Sequence, residues 1–250
     1  MNAFLIALQF LTRVKLVRQS VWTEKDFGAS VTWFPEVGAV IGALLCAIYW
    51  LIAGVFSPFA VAVILVISEF LITGGLHADG LMDTCDGYFS GRSRERILEI
   101  MKDSRVGANG VQAFVFFVLI KVALLLSLPA HPYAVLATMP ILGRWLMSWS
   151  VTGFPYARPQ GIGKAFAEYA PPHAMKIATV TALLPLAFTP VLLYGAMLLS
   201  AAFWGWWANS RLVRKLGGVT GDTYGAVTET GELVVLTMAT VMGQYTWNMW

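Results

Sequence analysis

Charge is what this sequence has least of. Only 12% of its 250 residues are Asp, Glu, Lys or Arg, against roughly 25% in soluble domains, and the mean hydropathy is +0.68. Segments 37–68, 122–143 and 177–210 contain no charged residue at all, whereas about 20 apolar residues suffice for a helix to cross a bilayer. These runs exclude a soluble fold, and too little apolar–polar alternation is present for a transmembrane barrel. Cysteine is scarce too: Cys46 and Cys85 have no spacing that frames a disulfide network or a zinc site. The net charge of +3 reads as membrane orientation and gives no sign of a nucleic-acid partner. No internal repeat is visible. The opening MNAFLIALQFLTRVKL lacks a basic n-region and a small-residue cleavage site, so an amphipathic segment on or in the membrane surface is expected there, not a signal peptide.

What is there predicts an all-α, polytopic integral membrane protein, one domain over 1–250, with about seven (six to seven) transmembrane helices. Runs 37–56 and 59–76 pair across Ser57-Pro58, and 111–128 and 133–151 across Pro129-Ala130-His131-Pro132. The 34 residues of 177–210 would make a helix of about 51 Å, too long for a ~30 Å core, so a break at Pro185 or Pro190 is expected. Segment 233–250 supplies the last span. Lys and Arg collect in alternate connections: Arg13, Lys15, Arg18 and Lys25; then Arg92, Arg94, Arg96, Lys102 and Arg105; then Arg158, Lys164 and Lys176; then Arg211, Arg214 and Lys215. The N-terminus and every charged loop are therefore expected in the cytoplasm.

At the end of the second apolar run stands GGLHADGLMDTCDG. Asp79, Asp83 and Asp86 fall at i, i+4 and i+7, one face of a helix. Three carboxylates that close repel unless a cation neutralises them, and hard oxygen donors suit Mg²⁺ shared with substrate phosphates. A solvated, dipole-favoured helix start is the plainer reading. His77 is a candidate ligand or proton-transfer group, with a hydrogen-bonded structural residue as its alternative; His131 and His173 sit in proline-flanked turns and carry no chemistry. Downstream, Lys102 and Arg105 lead into Gly107 and Gly110, a turn suited to wrapping phosphate oxygens.

Inside the spans, Glu69, Lys121 and Arg144 stand out, since a charge at the bilayer centre costs at least ~2.5–3.5 kcal/mol. Glu69 and Arg144 are expected either to pair or to bracket a pocket. The segment NSRLVRKLGGVTGDTYGAVTETGE adds Arg214 and Lys215 for phosphate and a second acidic set, Asp222, Glu229 and Glu232, on one face if helical. Two acidic sets suggest a two-metal or a metal-plus-base site. The metal candidates are Asp79, Asp83, Asp86, Glu69 and Glu232. The phosphate-binding candidates are Lys102, Arg105, Arg144, Arg214 and Lys215. The candidate general bases are His77, Asp222 and Glu229, with no choice among them.

The stretches EFLITGGLHADGLMDTCDG from Glu69 and RILEIMKDSRVGANG from Arg96 resemble the cobalamin synthase (adenosylcobinamide-GDP ribazoletransferase) family. So do the early ALQFLTR, WFPEVGAVIG and the late GGVTGDTYGAVTE. The resemblance implies a Mg²⁺-dependent enzyme of the bacterial inner membrane. It joins adenosylcobinamide-GDP to α-ribazole or α-ribazole 5′-phosphate and releases GMP, as a ribazole oxygen attacks phosphorus in line. It implies the lipid bilayer as surroundings, contact with other cobalamin-pathway enzymes or a homo-oligomer as open possibilities, and no nucleic acid. The competing classes are a CDP-alcohol phosphotransferase, from whose motif Asp79-Gly80 departs, an aspartate-rich prenyltransferase, and a transporter, which the one-sided acids and missing repeat disfavour.

Overall fold

The computed structural model describes residues 2–17, 22–128 and 132–246, with the backbone alone for 244–246. Arg18, the Pro129-Ala130-His131 part of the second turn, and 247–250 of the last span lie outside the described residues. Those described form twelve α-helices: α1 (Ala3–Leu11), α2 (Glu24–Ser30), α3 (Phe34–Ile52), α4 (Pro58–Thr73), α5 (Leu76–Tyr88), α6 (Arg94–Ile100), α7 (Ala108–Leu126), α8 (Tyr133–Gly153), α9 (Ile162–Tyr169), α10 (Ala174–Ala182), α11 (Val191–Leu216) and α12 (Gly221–Thr246).

Among the described residues, three runs are long and apolar enough to cross a membrane: Glu24–Ile52, α7 and α11. Together α4 and α5 make a fourth, bent by 93°. Seven spans were expected from apolar runs. The difference lies largely in α8 and α12, whose 21 and 26 residues are long enough at 1.5 Å each but less apolar, because protein rather than lipid surrounds them. On α8 nearly every residue from Leu136 to Val151 is buried. Lipid-suited side chains instead cover the outer helices, where Trp50, Leu71, Phe116, Leu119, Leu199 and Phe203 are exposed.

The helix ends follow local chemistry. Ser57 caps α4 by accepting from the Ala60 N–H at 3.3 Å, with Pro58 just inside. The break in 177–210 runs from Leu183 to Pro190 and includes a 3₁₀ turn over Leu184–Ala187 that holds Pro185, leaving α10 at nine residues, about 14 Å and too short to span, while α11 runs 26, about 39 Å. Meanwhile α12 starts at Gly221, well before the expected 233, so the last charged connection shrinks to Gly217, Gly218, Val219 and Thr220. The Thr220 and Thr223 hydroxyls accept each other's backbone N–H at 3.3 and 2.7 Å, fixing this start. The amino-terminal helix α1 buries Ile6, Ala7, Leu8 and Leu11 within the protein, so the apolar face read as membrane-seeking packs on α2 and α3.

Charged connections meet at one end of the bundle. The Arg13 N–H reaches the Ile72 carbonyl at 2.7 Å, Arg94 Nε reaches the Leu216 carbonyl at 2.6 Å, and Tyr156 and Val219 form an isolated parallel bridge, the Ala157 N–H donating to the Val219 carbonyl and the Val219 N–H to the Pro155 carbonyl, each at 2.8 Å. At the other end Tyr49 packs edge-on to Tyr133 at 5.3 Å, and a cavity of about 260 Å³ opens among Ala53, Pro58, Leu128 and Pro132, where no charge lines the wall.

Candidate active site

The acid helix exists because α4 stops. Gly74 and Gly75 both take the left-handed conformation, φ +69° and +74°, which side-chain-bearing residues avoid, and the chain turns into α5. Along α5, Asp79 is exposed, Asp83 half-buried and Asp86 buried, so one helical face passes through three environments. Two glycines bring α12 against it. A methyl group on Gly80 would lie 2.5 Å from the Asp222 carbonyl oxygen, and one on Gly225 2.8 Å from that of His77. Gly80→Val is therefore expected to force the two helices apart at a cost of about 1–3 kcal/mol, read as a lowered Tm in detergent. Gly54→Val, with nothing within 4 Å, should leave Tm unchanged.

This approach sets Asp222 beside the acids of α5. Its carboxylate is ion-paired to Arg158 at 2.7 Å, and Thr220 donates to it at 3.4 Å. Asp83 thus stands among the like charges of Asp79, Asp222 and Asp86, with Arg158 the opposing cation. Asp79 borders two cavities. One, of about 140 Å³, includes His77, Asp222, Phe10 and Phe166; the other, of about 520 Å³, lies with Gly74, Gly75, Met82 and Phe114.

Asp86 is engaged elsewhere. Its two oxygens accept the backbone N–H groups of Gly107 at 2.7 Å and Gly110 at 2.8 Å, capping the start of α7 as helix N-termini favour an anion. The glycine turn expected to wrap a phosphate thus wraps a carboxylate of its own chain.

The intramembrane charges form one buried network. Lys121 on α7 meets Glu69 of α4 at 2.7 Å, Glu232 of α12 at 2.7 Å and Glu229 at 3.5 Å. Arg144 on α8 pairs with the other Glu232 oxygen, and its second nitrogen lies 3.4 Å from His77 Nδ1. The alternative of a Glu69–Arg144 pair gives way to Glu69–Lys121 and Arg144–Glu232. Buried charges need partners, and five of them here tie four helices together. Glu69 and Glu232, candidate metal ligands by sequence, are occupied by these cations. Arg144, a candidate for phosphate, is 0% exposed, and Glu229 does not line either cavity that Asp79 borders.

Four candidate phosphate-binding side chains are exposed: Lys102, Arg105, Arg214 and Lys215. None lines those two cavities; Arg105 pairs with Asp103 at 2.7 Å, and Arg214 borders an aromatic surface groove with Trp206 and Trp207. The cation that does reach the acids is Arg158, counted from sequence only as a loop charge. Its partner Asp222 is far along the chain, and no spacing rule links them. Cys46 and Cys85 are free thiols, and His173 is exposed. Among the described residues, no group of three or more His, Cys, Asp or Glu side chains is gathered closely enough to hold a metal unaided.

Residues 3–240 match the model of the cobalamin-5-phosphate synthase family. Relatives named adenosylcobinamide-GDP ribazoletransferase include those of Desulfitobacterium hafniense (40% identical, covering 94% of this chain and 95% of the relative) and Brevibacillus brevis (39%, covering 94% and 96%). That of Klebsiella pneumoniae is 39% identical over 94% of this chain and 98% of its own. No solved structure matches. An all-helical membrane architecture, an acid helix at the charged end of the bundle and matches of this breadth agree: the chain belongs to the cobalamin-5-phosphate synthase family.

Proposed function

We propose that this protein is an adenosylcobinamide-GDP ribazoletransferase of the membrane, completing the nucleotide loop of cobalamin: it passes adenosylcobinamide phosphate from adenosylcobinamide-GDP to α-ribazole or α-ribazole 5′-phosphate and releases GMP. The observation that carries this is the junction of α5 and α12, where Asp79, Asp83 and Asp222 meet Arg158 beside two cavities.

The donor set fits Mg²⁺. Mutual repulsion at Asp83 is relieved by a cation, and Mg²⁺ commonly takes one or two carboxylates and completes its shell with water and phosphate oxygens, which suits a site short of three gathered ligands. Asp79 and Asp83 would hold it. A cation held there would supply charge neutralisation for the diphosphate and for the departing GMP. Arg158 adds a guanidinium for the phosphoryl oxygens. Asp222 is the base best placed for a ribazole hydroxyl: it lines the cavity and is partly open, whereas Glu229 is sealed beside Lys121. The hydroxyl oxygen bonds to phosphorus, its proton passes to Asp222, and the bond from phosphorus to the GMP oxygen breaks.

In this reading α8 and α12 join the four candidate spans to complete the bundle, α10 being too short to cross on its own. Its charged end faces the cytoplasm of a bacterial cell by the positive-inside rule. Polar substrates would then reach the acids directly.

The test is GMP release by purified protein in detergent. Release is expected only with Mg²⁺ and both substrates together, lost on chelation with EDTA and regained with added Mg²⁺. Absence of release under complete conditions counts against this activity. It would return attention to other alcohol phosphotransferases and to diphosphate-using prenyltransferases.

A further inference from the structure

Arg211, Arg214 and Lys215 have no part in the acid site: none lines either cavity that Asp79 borders. They end α11, whose outer face is graded along its length. Leu192, Leu199 and Phe203 are exposed first, then Trp206 and Trp207, and Arg214 closes the same face with Arg211 and Lys215 at its flanks. From Phe203 to Arg214 is about 17 Å along the axis. Apolar, then aromatic, then basic is the order of environments met from the hydrocarbon core of a bilayer outward to its headgroups, and α11 is long and apolar enough to cross.

Where the aromatic part gives way to the basic part, the surface is hollowed. A groove of about 390 Å³ lies between Phe154, which ends α8, and Trp206, Trp207, Ser210, Val213 and Arg214 of α11. The Arg211 guanidinium stands over the Trp207 ring at 5.3 Å, an arrangement that holds positive charge against an aromatic wall. Arg214 gives its Nε–H to the Ser210 carbonyl at 3.3 Å, so its side chain folds back along the helix toward the groove. Among the described residues no carboxylate pairs with Arg211, Arg214 or Lys215. Arg96 and Arg105, by contrast, are matched by Glu99 and Asp103. Arg94 adds a further cation at Gly217, just past the end of α11.

Unmatched guanidinium groups at the rim of an aromatic groove complement a phosphate, which arginine binds through paired N–H donors. The exposed apolar face that leads into the groove complements acyl chains. A soluble phosphate would leave that face uncovered, and a zwitterionic headgroup brings an ammonium that the basic cluster repels. We infer that this groove holds one anionic phospholipid, its phosphodiester at Arg211 and Arg214 and its chains along Trp206, Phe203 and Leu199. The inference stands apart from the transfer reading, since it uses no residue of the acid site.

The experiment is native mass spectrometry of delipidated full-length protein, titrated with phosphatidylglycerol or with phosphatidylcholine of the same acyl chains. The first phosphatidylglycerol is expected to bind about tenfold more tightly than phosphatidylcholine. Each basic residue at an anionic membrane surface is worth roughly fivefold in binding. Arg211→Gln/Arg214→Gln should therefore weaken phosphatidylglycerol binding by about tenfold or more while leaving phosphatidylcholine within about twofold. Arg96→Gln/Arg105→Gln removes the same charge from the same end of the bundle and should leave both lipids nearly unchanged. If the α11 double variant does not fold, Arg214→Gln alone is expected to show roughly a fivefold loss. Equal binding of the two lipids, or equal loss in the two double variants, overturns the inference. So does displacement of phosphatidylglycerol by millimolar inorganic phosphate, which would mark a site for free phosphate, or a dimer of the chain that persists with lipid and is lost in Arg211→Gln/Arg214→Gln, which would mark a contact between copies.

Discussion

Lys121→Met is expected to be the most destabilising single change in the bundle. The ammonium group is shared by Glu69 and Glu232 at 2.7 Å each and approached by Glu229 at 3.5 Å, and all four side chains are buried. Methionine keeps much of the length and the contact with Phe117 but removes the charge, leaving three glutamates and Arg144 alone to balance them. Removing one partner of a buried pair costs about 3–5 kcal/mol, more than most substitutions. The measurement is thermal unfolding and yield of monodisperse protein in detergent. A large fall in both is expected, with partial recovery in Lys121→Met/Glu69→Gln, which deletes a carboxylate along with its cation. A Tm equal to wild type would show that the network does not hold α4, α7 and α12 together.

Asp83→Asn is expected to do the reverse: activity falls and stability does not. Loss of one electrostatic contact to a transition state typically costs about 10²–10³ in kcat, and Asp83 is assigned to the metal that faces the diphosphate. For the fold, the sign runs the other way. The half-buried Asp83 carboxylate faces the like charges of Asp79, Asp222 and Asp86, and like charges held this close oppose folding. Asparagine carries no charge to repel, so above pH 7 in the absence of Mg²⁺ the variant should unfold at the same or a higher temperature than wild type. Such a trade between stability and activity is usual for functional groups held in unfavourable surroundings. Retained activity in Asp83→Asn would remove the metal role from the site.

Much of this was legible in the amino-acid sequence, for reasons that also mark the limit. Apolar runs bounded by Ser57-Pro58 and by Pro190 announce helices and their joints because backbone chemistry is local. The i, i+4, i+7 spacing of Asp79, Asp83 and Asp86 does put them on one helix. What surrounds that helix is not local. Asp86 turns out to cap α7 because Gly107 and Gly110 stand over the far end of the same face. Glu69, Lys121 and Arg144 were conspicuous as charges in apolar runs, but their partners Glu229 and Glu232 were read as belonging to a loop. Only the early start of α12 at Gly221 carries those glutamates into the bundle. Arg158 gave no signal, since a lone arginine in a proline-bearing connection looks like orientation charge until the Tyr156–Val219 bridge segment brings it to Asp222.

The central claim is that Asp79 and Asp83 hold the cation that carries the diphosphate. Electron paramagnetic resonance of Mn²⁺ titrated into the detergent-solubilised protein tests it most directly, because Mn²⁺ accepts the same oxygen ligands and free ion is distinguished from bound. Wild-type protein is expected to bind Mn²⁺ more tightly when adenosylcobinamide-GDP is present, and Asp79→Asn/Asp83→Asn to lose that binding while keeping its fold. Equal Mn²⁺ binding by the double variant and the wild type would contradict the account.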